Sequence, residues 1–232
     1  MSSTAVISLG GSVVSPEWPD CGMIRGFVEM VRGFLGADSD RRLVVVVGGG
    51  APARRYQTAA TELGVTDAAA LDNVGIRATR LNAELLRTVL GDMCLDPVVE
   101  DPSVPPVFRG RVLIGAGWKP GFSTDYDAVL LAEHAGAETL INLSNIPRLF
   151  TEDPRSNPDA SPVERITWPE FREMVGDEWK PGTNVPFDPV ASRRAESAGL
   201  RVVIASGREH ENTMAILEGR PFTGSEIVPA GA

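Results

Sequence analysis

At 232 residues, 43% apolar and 23% charged, the chain is long enough for one substantial core and has an ordinary globular composition. Its net charge of −9 opposes general nucleic-acid binding, because a duplex would be repelled unless a local basic patch overrode the global field. Cys21 and Cys94 form no C-x-x-C pair and His134 and His210 are the only histidines, which leaves no zinc-type cluster; with no apolar run of about eighteen residues and no basic-then-apolar N-terminus, the expected compartment is the cytoplasm.

Thr4 to Leu9 is a β-type run that empties into Gly10-Gly11-Ser12. Met23 to Leu35 places Ile24, Phe27, Val28, Val31 and Leu35 at helical spacing, and Gly36 stops it. Leu43 to Val47 is an unbroken aliphatic run, the pattern of a strand buried on both faces of a parallel sheet, and it leads straight into Gly48-Gly49-Gly50. Ala53 to Leu63 reads as a helix with Arg54 and Arg55 in its first turns, ended by Gly64. Asp72 to Leu90 is a further helix, with Ile76, Leu81, Leu85, Leu86 and Val89 along it; Asp72-Asn73-Val74-Gly75 suits its cap, and Gly75 permits a close approach to the backbone.

Leu95 to Val99 reads as a short strand, followed by a proline-rich connection from Asp101 to Pro106. Within Arg111 to Asp127, a buried strand leads into a glycine-rich turn carrying Lys119, one of only two lysines, and Ser123-Thr124-Asp125 then opens a helix. Glu138 to Leu143 is another buried strand. Ser144 to Pro162 is a long ordered loop, of a length that is usually functional inside a compact domain. A helix (Trp168 to Val175), a turn (Lys180 to Asn184), a helix (Asp188 to Ala198), a strand (Val202 to Ile204), a helix (Glu209 to Leu217) and an edge strand (Gly224 to Val228) complete the chain. This alternation predicts an α/β fold, a three-layer α-β-α sandwich with a mainly parallel central sheet, in one domain over residues 1–232.

A strand that empties through glycines into a helix N-terminus gathers unpaired N–H groups and the positive end of the helix dipole at one point, which suits phosphate. The exits at Gly10-Gly11-Ser12, Gly48-Gly49-Gly50 and Gly115 to Gly121 would lie along one sheet edge, where α/β proteins bind ligands. None matches G-x-x-x-x-G-K-[ST], and no G-x-G-x-x-G opens a helix, so P-loop and dinucleotide-binding folds lose their main support. Taken alone, Ser-Thr-Asp reads first as a plain N-cap.

Six blocks in order, ISLGGSVVSP, VVVGGGAPARRY, DNVGIRATRLNAELL, PGFSTDYDAVLLAEHAGAETLINLSNI, LFTEDPRSNPDA and PGTNVPFDPVASRRAESAGLRVVI, with GSEIVP near the end, resemble the amino acid kinase family and, within it, the archaeal-type uridylate (UMP) kinases. The resemblance implies ATP-dependent phosphoryl transfer to a nucleoside monophosphate, UMP above all, giving UDP and ADP. It also implies a mainly acceptor-binding lobe over residues 1–125 and a mainly ATP-binding lobe over 126–232. Gly10, Gly11 and Ser12 would wrap the transferred phosphates; Gly48, Gly49 and Gly50 would let the acceptor lie on bare backbone, with Arg54 gripping its phosphate through a planar fork. By the same resemblance Asp72 would accept hydrogen bonds from the ribose, Thr124 would contact the acceptor base or phosphate, and Asp125 would orient cationic groups at the transfer point. Ser144, Phe150 and Asp153 fall in the segments on the ATP side. Magnesium carried on ATP is the implied cofactor, with no protein metal ligand, and the acceptor oxygen is already ionised at neutral pH, so no general base is required. A homo-oligomer, in related enzymes commonly a hexamer, is implied as well.

The chain departs from the family pattern in five places. Ser8 stands where many members carry a lysine, Arg193 where a lysine is usual, Lys119 where histidine is more common and Phe122 where the residue is polar; Ile146-Pro147-Arg148 replaces Val-Asp-Gly. Lys119, with Arg193, either supplies the missing transition-state charge or is a solvated turn residue. Arg54 is either a phosphate ligand or a surface arginine, Asp72 a ribose ligand or an N-cap, and Phe150 adenine packing or core. Two functional classes stay open: an active kinase, for UMP or another small phosphate or phosphonate, and a non-catalytic nucleotide- or oxyanion-binding relative. The apolar face of Met23 to Leu35 fits either an oligomer contact or an intramolecular one.

Overall fold

The computed structural model describes residues 4–152, 154, 157, 159–176 and 185–231. Its strands are β1 (Thr4–Leu9), β2 (Arg42–Val47), β3 (Val112–Gly115), β4 (Thr139–Ser144), β5 (Leu149–Phe150), β6 (Pro162–Val163), β7 (Arg165–Thr167), β8 (Arg201–Ser206) and β9 (Ser225–Val228). Its helices are α1 (Gly11–Val14), α2 (Cys21–Gly36), α3 (Gly50–Glu62), α4 (Ala68–Leu90), α5 (Thr124–Ala135), α6 (Trp168–Val175), α7 (Pro189–Ser197) and α8 (His210–Leu217).

Seven strands form one sheet in the order β3-β2-β1-β4-β8-β9-β7. From β3 to β8 all neighbours are parallel, whereas β9 is antiparallel to β8 and β7 parallel to β9. The strands are aliphatic on both faces because both faces are covered. Ile7, Leu9, Val45 and Val47 pack with Phe27 and Val31 of α2 and Leu86 and Leu90 of α4; Val6, Val44 and Val46 point the other way, onto Val129 of α5, Trp168 of α6 and Ala191 of α7. The three-layer arrangement expected from the alternation is therefore present. Trp168 is fully buried and its indole N–H donates to the Leu200 carbonyl at 2.8 Å, which satisfies the one polar group it takes inside.

Several local expectations need correction. α4 begins at Ala68, not Asp72: Asp67 is its N-cap, accepting from Ala70 N at 3.0 Å, and Asp72 lies in the second turn. The buried stripe of α4 runs Ile76, Thr79, Ala83, Leu86 and Leu90, leaving Leu81 70% exposed. Leu95 to Val99 is not a strand; only Val99 bridges to Gly115. The buried Asp96 carboxylate takes over here, accepting from Arg109 N and Gly110 N at 2.6 and 3.2 Å, and anchors the segment as a loop. β9 is internal rather than an edge, and the short β7 is the edge strand on that side of the sheet. The long loop after β4 contains the antiparallel β5–β6 pair. The eight large apolar side chains of α2 from Met23 to Leu35 are buried within the chain, so the intramolecular reading of that face holds. The expected turn at 180–184 lies outside the described residues. Among the described residues, no helix is long and apolar enough to cross a membrane.

Candidate functional site

Because β1, β2 and β3 are adjacent and parallel, their glycine exits emerge side by side. The first two interlock through bare backbone. A Cβ on Gly11 would fall 2.0 Å from Gly50 N, and one on Gly48 would fall 2.4 Å from Gly11 N. Gly50 also has φ +64°, a conformation that side chains strain. Gly10 N donates to Leu143 O at 2.8 Å, which brings Gly10-Gly11-Ser12 beside Ser144 at the end of β4. From α3, Arg54 reaches back to Ser12 Oγ at 3.5 Å, linking the first two exits.

Beside them lies a cavity of about 270 Å³, bounded by the start of α3, the first half of α4, the Gly117–Gly121 turn and the N-termini of α5 and α7. That is near the lower end for small-molecule pockets, about 300 Å³. Gly49, Gly50, Arg54, Asp72 and Thr124, drawn from three separate stretches of sequence, all line it; Gly48 lies behind them, against Gly11. Arg54 is exposed at the rim with its guanidinium available to an anion. Asp72 accepts from Gly121 N at 2.9 Å, so the carboxylate is already oriented toward the turn. Gly75 serves a close approach, as its sequence position suggested: a Cβ there would meet Gln57 Nε2 at 2.6 Å.

Asp125 sits where the strand order reverses, between β1 and β4. Its Oδ1 accepts from Ser8 Oγ at 2.9 Å and Asn142 Nδ2 at 3.0 Å, and its Oδ2 from Asp188 N at 3.3 Å. Desolvation pushes its pKa up to about 6, against the lowering effect of the Ser8 hydroxyl and with a further upward push from Asp188. Asp188, the N-cap of α7, also lines the cavity and is itself raised, chiefly by desolvation. Two desolvated carboxylates beside β1, β4 and the start of α7 form a site whose charge a cation would relieve.

Asp127 is buried beneath the same helix start. Its Oδ2 accepts from Trp118 N at 3.2 Å, Oδ1 has no hydrogen-bond partner, and desolvation raises its pKa to about 7.

The remaining expected residues lie outside the cavity lining. Lys119 is exposed, its ammonium 3.7 Å from the centroid of the Trp118 ring, in a row with Phe122 and Tyr126. Arg193 is exposed on α7, where its charge lowers Asp188 against the burial effect. Phe150 is half-buried on β5, opposite Pro162. Asp153 lies outside the described residues.

Four polar residues of this region were not singled out from sequence: Thr79, Arg80 and Asn82 of α4, and Asp188. Asn82 Nδ2 donates to Gly48 O at 2.9 Å and Gly49 O at 3.1 Å, and Thr79 Oγ1 accepts from Gly117 N at 2.8 Å. A signal for Thr79 exists in the sequence, since it falls three residues after Ile76 and four before Ala83, on the buried stripe. A polar residue on such a stripe calls for a backbone partner.

The sequence pattern described as the amino acid kinase family matches residues 3–206. The uridylate kinase of Methanothermobacter thermautotrophicus is 35% identical over 233 residues, covering 97% of this chain and 98% of that protein. That of Methanoculleus marisnigri is 37% identical, covering 92% and 91%. Among solved structures, the uridylate kinase from Archaeoglobus fulgidus superposes with a TM-score of 0.83 at 33% identity, covering 97% of this chain and all of that one. The UMP kinase from Bacillus anthracis, at 20% identity and a TM-score of 0.79, shares the fold. The family match over residues 3–206, with relatives and a solved structure that match nearly the whole chain, shows that the chain belongs to the amino acid kinase family.

Proposed function

We propose that the protein is a UMP kinase, transferring the γ-phosphoryl group of ATP to UMP to give UDP and ADP. The observation that carries this reading is the convergence of Arg54, Asp72 and Thr124 on one cavity beside the interlocked glycine exits. Support also comes from relatives named uridylate kinase that match almost the whole chain.

Arg54 holds the acceptor phosphate and Asp72 the ribose hydroxyls, while Gly49 and Gly50 admit the nucleotide onto bare backbone. Thr124, at the first turn of α5, sets the acceptor against the dipole of that helix. Gly10, Gly11, Ser12 and Ser144 form the ATP side, with Phe150 toward adenosine; apart from the 10–12 exit, residues 1–125 mainly serve the acceptor and 126–232 mainly ATP. Asp125, backed by Ser8 and Asn142, orients positive charge at the junction, and Lys119 and Arg193 are the cations nearest in sequence to its helix and to Asp188.

The raised carboxylates of Asp125 and Asp188 fit a divalent cation entering on the ATP phosphates. Magnesium, when bound on the ATP phosphates, supplies neutralisation of phosphate charge, and these two carboxylates would accept from its waters rather than ligate it. The chain's own contribution is positioning and electrostatics, which is what phosphoryl transfer demands of a protein.

The test is ADP release from Mg-ATP with UMP, CMP, isopentenyl phosphate or no acceptor. Turnover selective for UMP supports the reading. Selectivity for another phosphate reassigns the acceptor, and nucleotide binding without acceptor-dependent turnover overturns the kinase assignment.

A further inference from the structure

The Gly117–Gly121 turn forms one wall of the cavity, and its glycines give it little stiffness of its own. It is held instead from α4. Arg80 Nε donates to Gly117 O at 3.3 Å and Nη2 to Trp118 O at 3.1 Å, while Nη1 pairs with Glu100 Oε2 at 2.5 Å. The other end of the turn is tied to the same helix by Asp72, which accepts from Gly121 N at 2.9 Å. The Gly117–Trp118 peptide is gripped at both poles, its carbonyl by Arg80 and its N–H by Asp127 Oδ2 at 3.2 Å. Arg80 and Glu100 do not themselves line the cavity.

We propose that Arg80 is a positioning residue for acceptor binding: braced by Glu100, it fastens the Gly117–Trp118 peptide to α4 and thereby fixes the wall of the acceptor cavity relative to Asp72. The proposal rests on the reading of this cavity as the acceptor site. A planar guanidinium suits the task because two of its nitrogens reach two carbonyls while a third takes the carboxylate; a lysine ammonium offers one point. If the pair were only a surface ion bridge, its removal would cost little and would act on no substrate in particular.

The experiment compares the full chain with Arg80→Ala, Arg80→Lys and Glu100→Gln. Amide hydrogen exchange over residues 117–121 is measured without ligand, and the KM values for UMP and for ATP are measured separately. In Arg80→Ala the exchange of this turn rises about tenfold or more and the KM for UMP rises about tenfold, the loss of one charge-assisted hydrogen bond or more, while the KM for ATP stays within about twofold. Arg80→Lys recovers only part of either effect. Should Arg80→Ala fail to fold, Glu100→Gln, a change at a half-exposed side chain, gives the same pattern at smaller size. Unchanged exchange of the turn, or equal shifts in both KM values, overturns the proposal. Failure of the unmodified chain to bind or phosphorylate UMP overturns the acceptor reading instead, and the exchange measurement still decides whether Arg80 holds the turn.

Discussion

Ser8 and Asn142 are register partners on β1 and β4, and both donate to the same oxygen of Asp125, at 2.9 and 3.0 Å. Two neutral donors thus take up a carboxylate oxygen at the point where a lysine-bearing first strand would present a cation. The result is a carboxyl group whose pKa is raised by desolvation rather than lowered by charge.

Asp125→Asn is therefore expected to reduce kcat by about a hundredfold or more, the scale for loss of one preorganised electrostatic group. In the unmodified protein, activity should fall below about pH 6, where the Asp125 carboxyl takes up its proton, and bound cations should move this limb to lower pH. A pH profile of kcat/KM checks both points; a flat profile between pH 5 and pH 8 would speak against an ionised Asp125 in the reaction.

Arg54→Ala should raise the KM for UMP by about tenfold to a hundredfold through loss of charge-assisted contacts to the acceptor phosphate, with little change in Tm because the side chain is exposed. Steady-state kinetics and a thermal melt separate the two effects. A large fall in Tm with unchanged KM would return Arg54 to a structural role.

Asp72→Ala should narrow the preference for UMP over 2′-deoxy-UMP by about tenfold, since a carboxylate that accepts from the ribose hydroxyls loses that partner. The ratio of kcat/KM for the two nucleotides is the measurement. An unaltered ratio would leave Asp72 only its bond to Gly121 N.

Asp127 makes a stability prediction of definite sign. Its pKa is raised to about 7 in the folded chain, so the neutral form is favoured by folding; that contribution is complete below the ordinary carboxylate range and is lost as pH rises through about 7. Asp127→Asn should be more stable than the unmodified protein at pH 8, by up to about 4 kcal/mol, with the difference shrinking toward pH 4. Denaturant unfolding at the two pH values checks it. Equal stability differences at both would contradict a raised Asp127.

Gly11→Ala and Gly36→Ala form a matched pair. The first places a Cβ 2.0 Å from Gly50 N, between two backbone segments that cannot both give way, and should cost about 3 kcal/mol or more. The second, at the end of α2, meets nothing within 4 Å and should be neutral or slightly stabilising. Urea titrations of both variants test whether the interlocked exits carry the difference.

Much of this architecture is legible in the chain because its signals are local. An unbroken aliphatic run marks β2 and shorter apolar runs mark β1, β4 and β8, and Trp168 to Val175 reads as a helix with the same bounds that the fold shows. Arg54, Asp72 and Thr124 were expected at one site and do meet at one cavity. Other features depend on partners distant in sequence. Asp96 overrides a β-prone segment by capturing Arg109 and Gly110, and β7 is too short to show a period. Arg80 and Asn82 resemble ordinary helix polar residues until their carbonyl partners, 33 to 38 residues away, are brought alongside.

The most direct test of the central claim is phosphorus NMR of the purified protein with Mg-ATP and UMP. The β-phosphate signal of UDP should appear in step with that of ADP, at equal amounts, and neither should appear when UMP is omitted. ATP that stays intact in the presence of UMP, or ADP formed without UDP, would contradict the assignment.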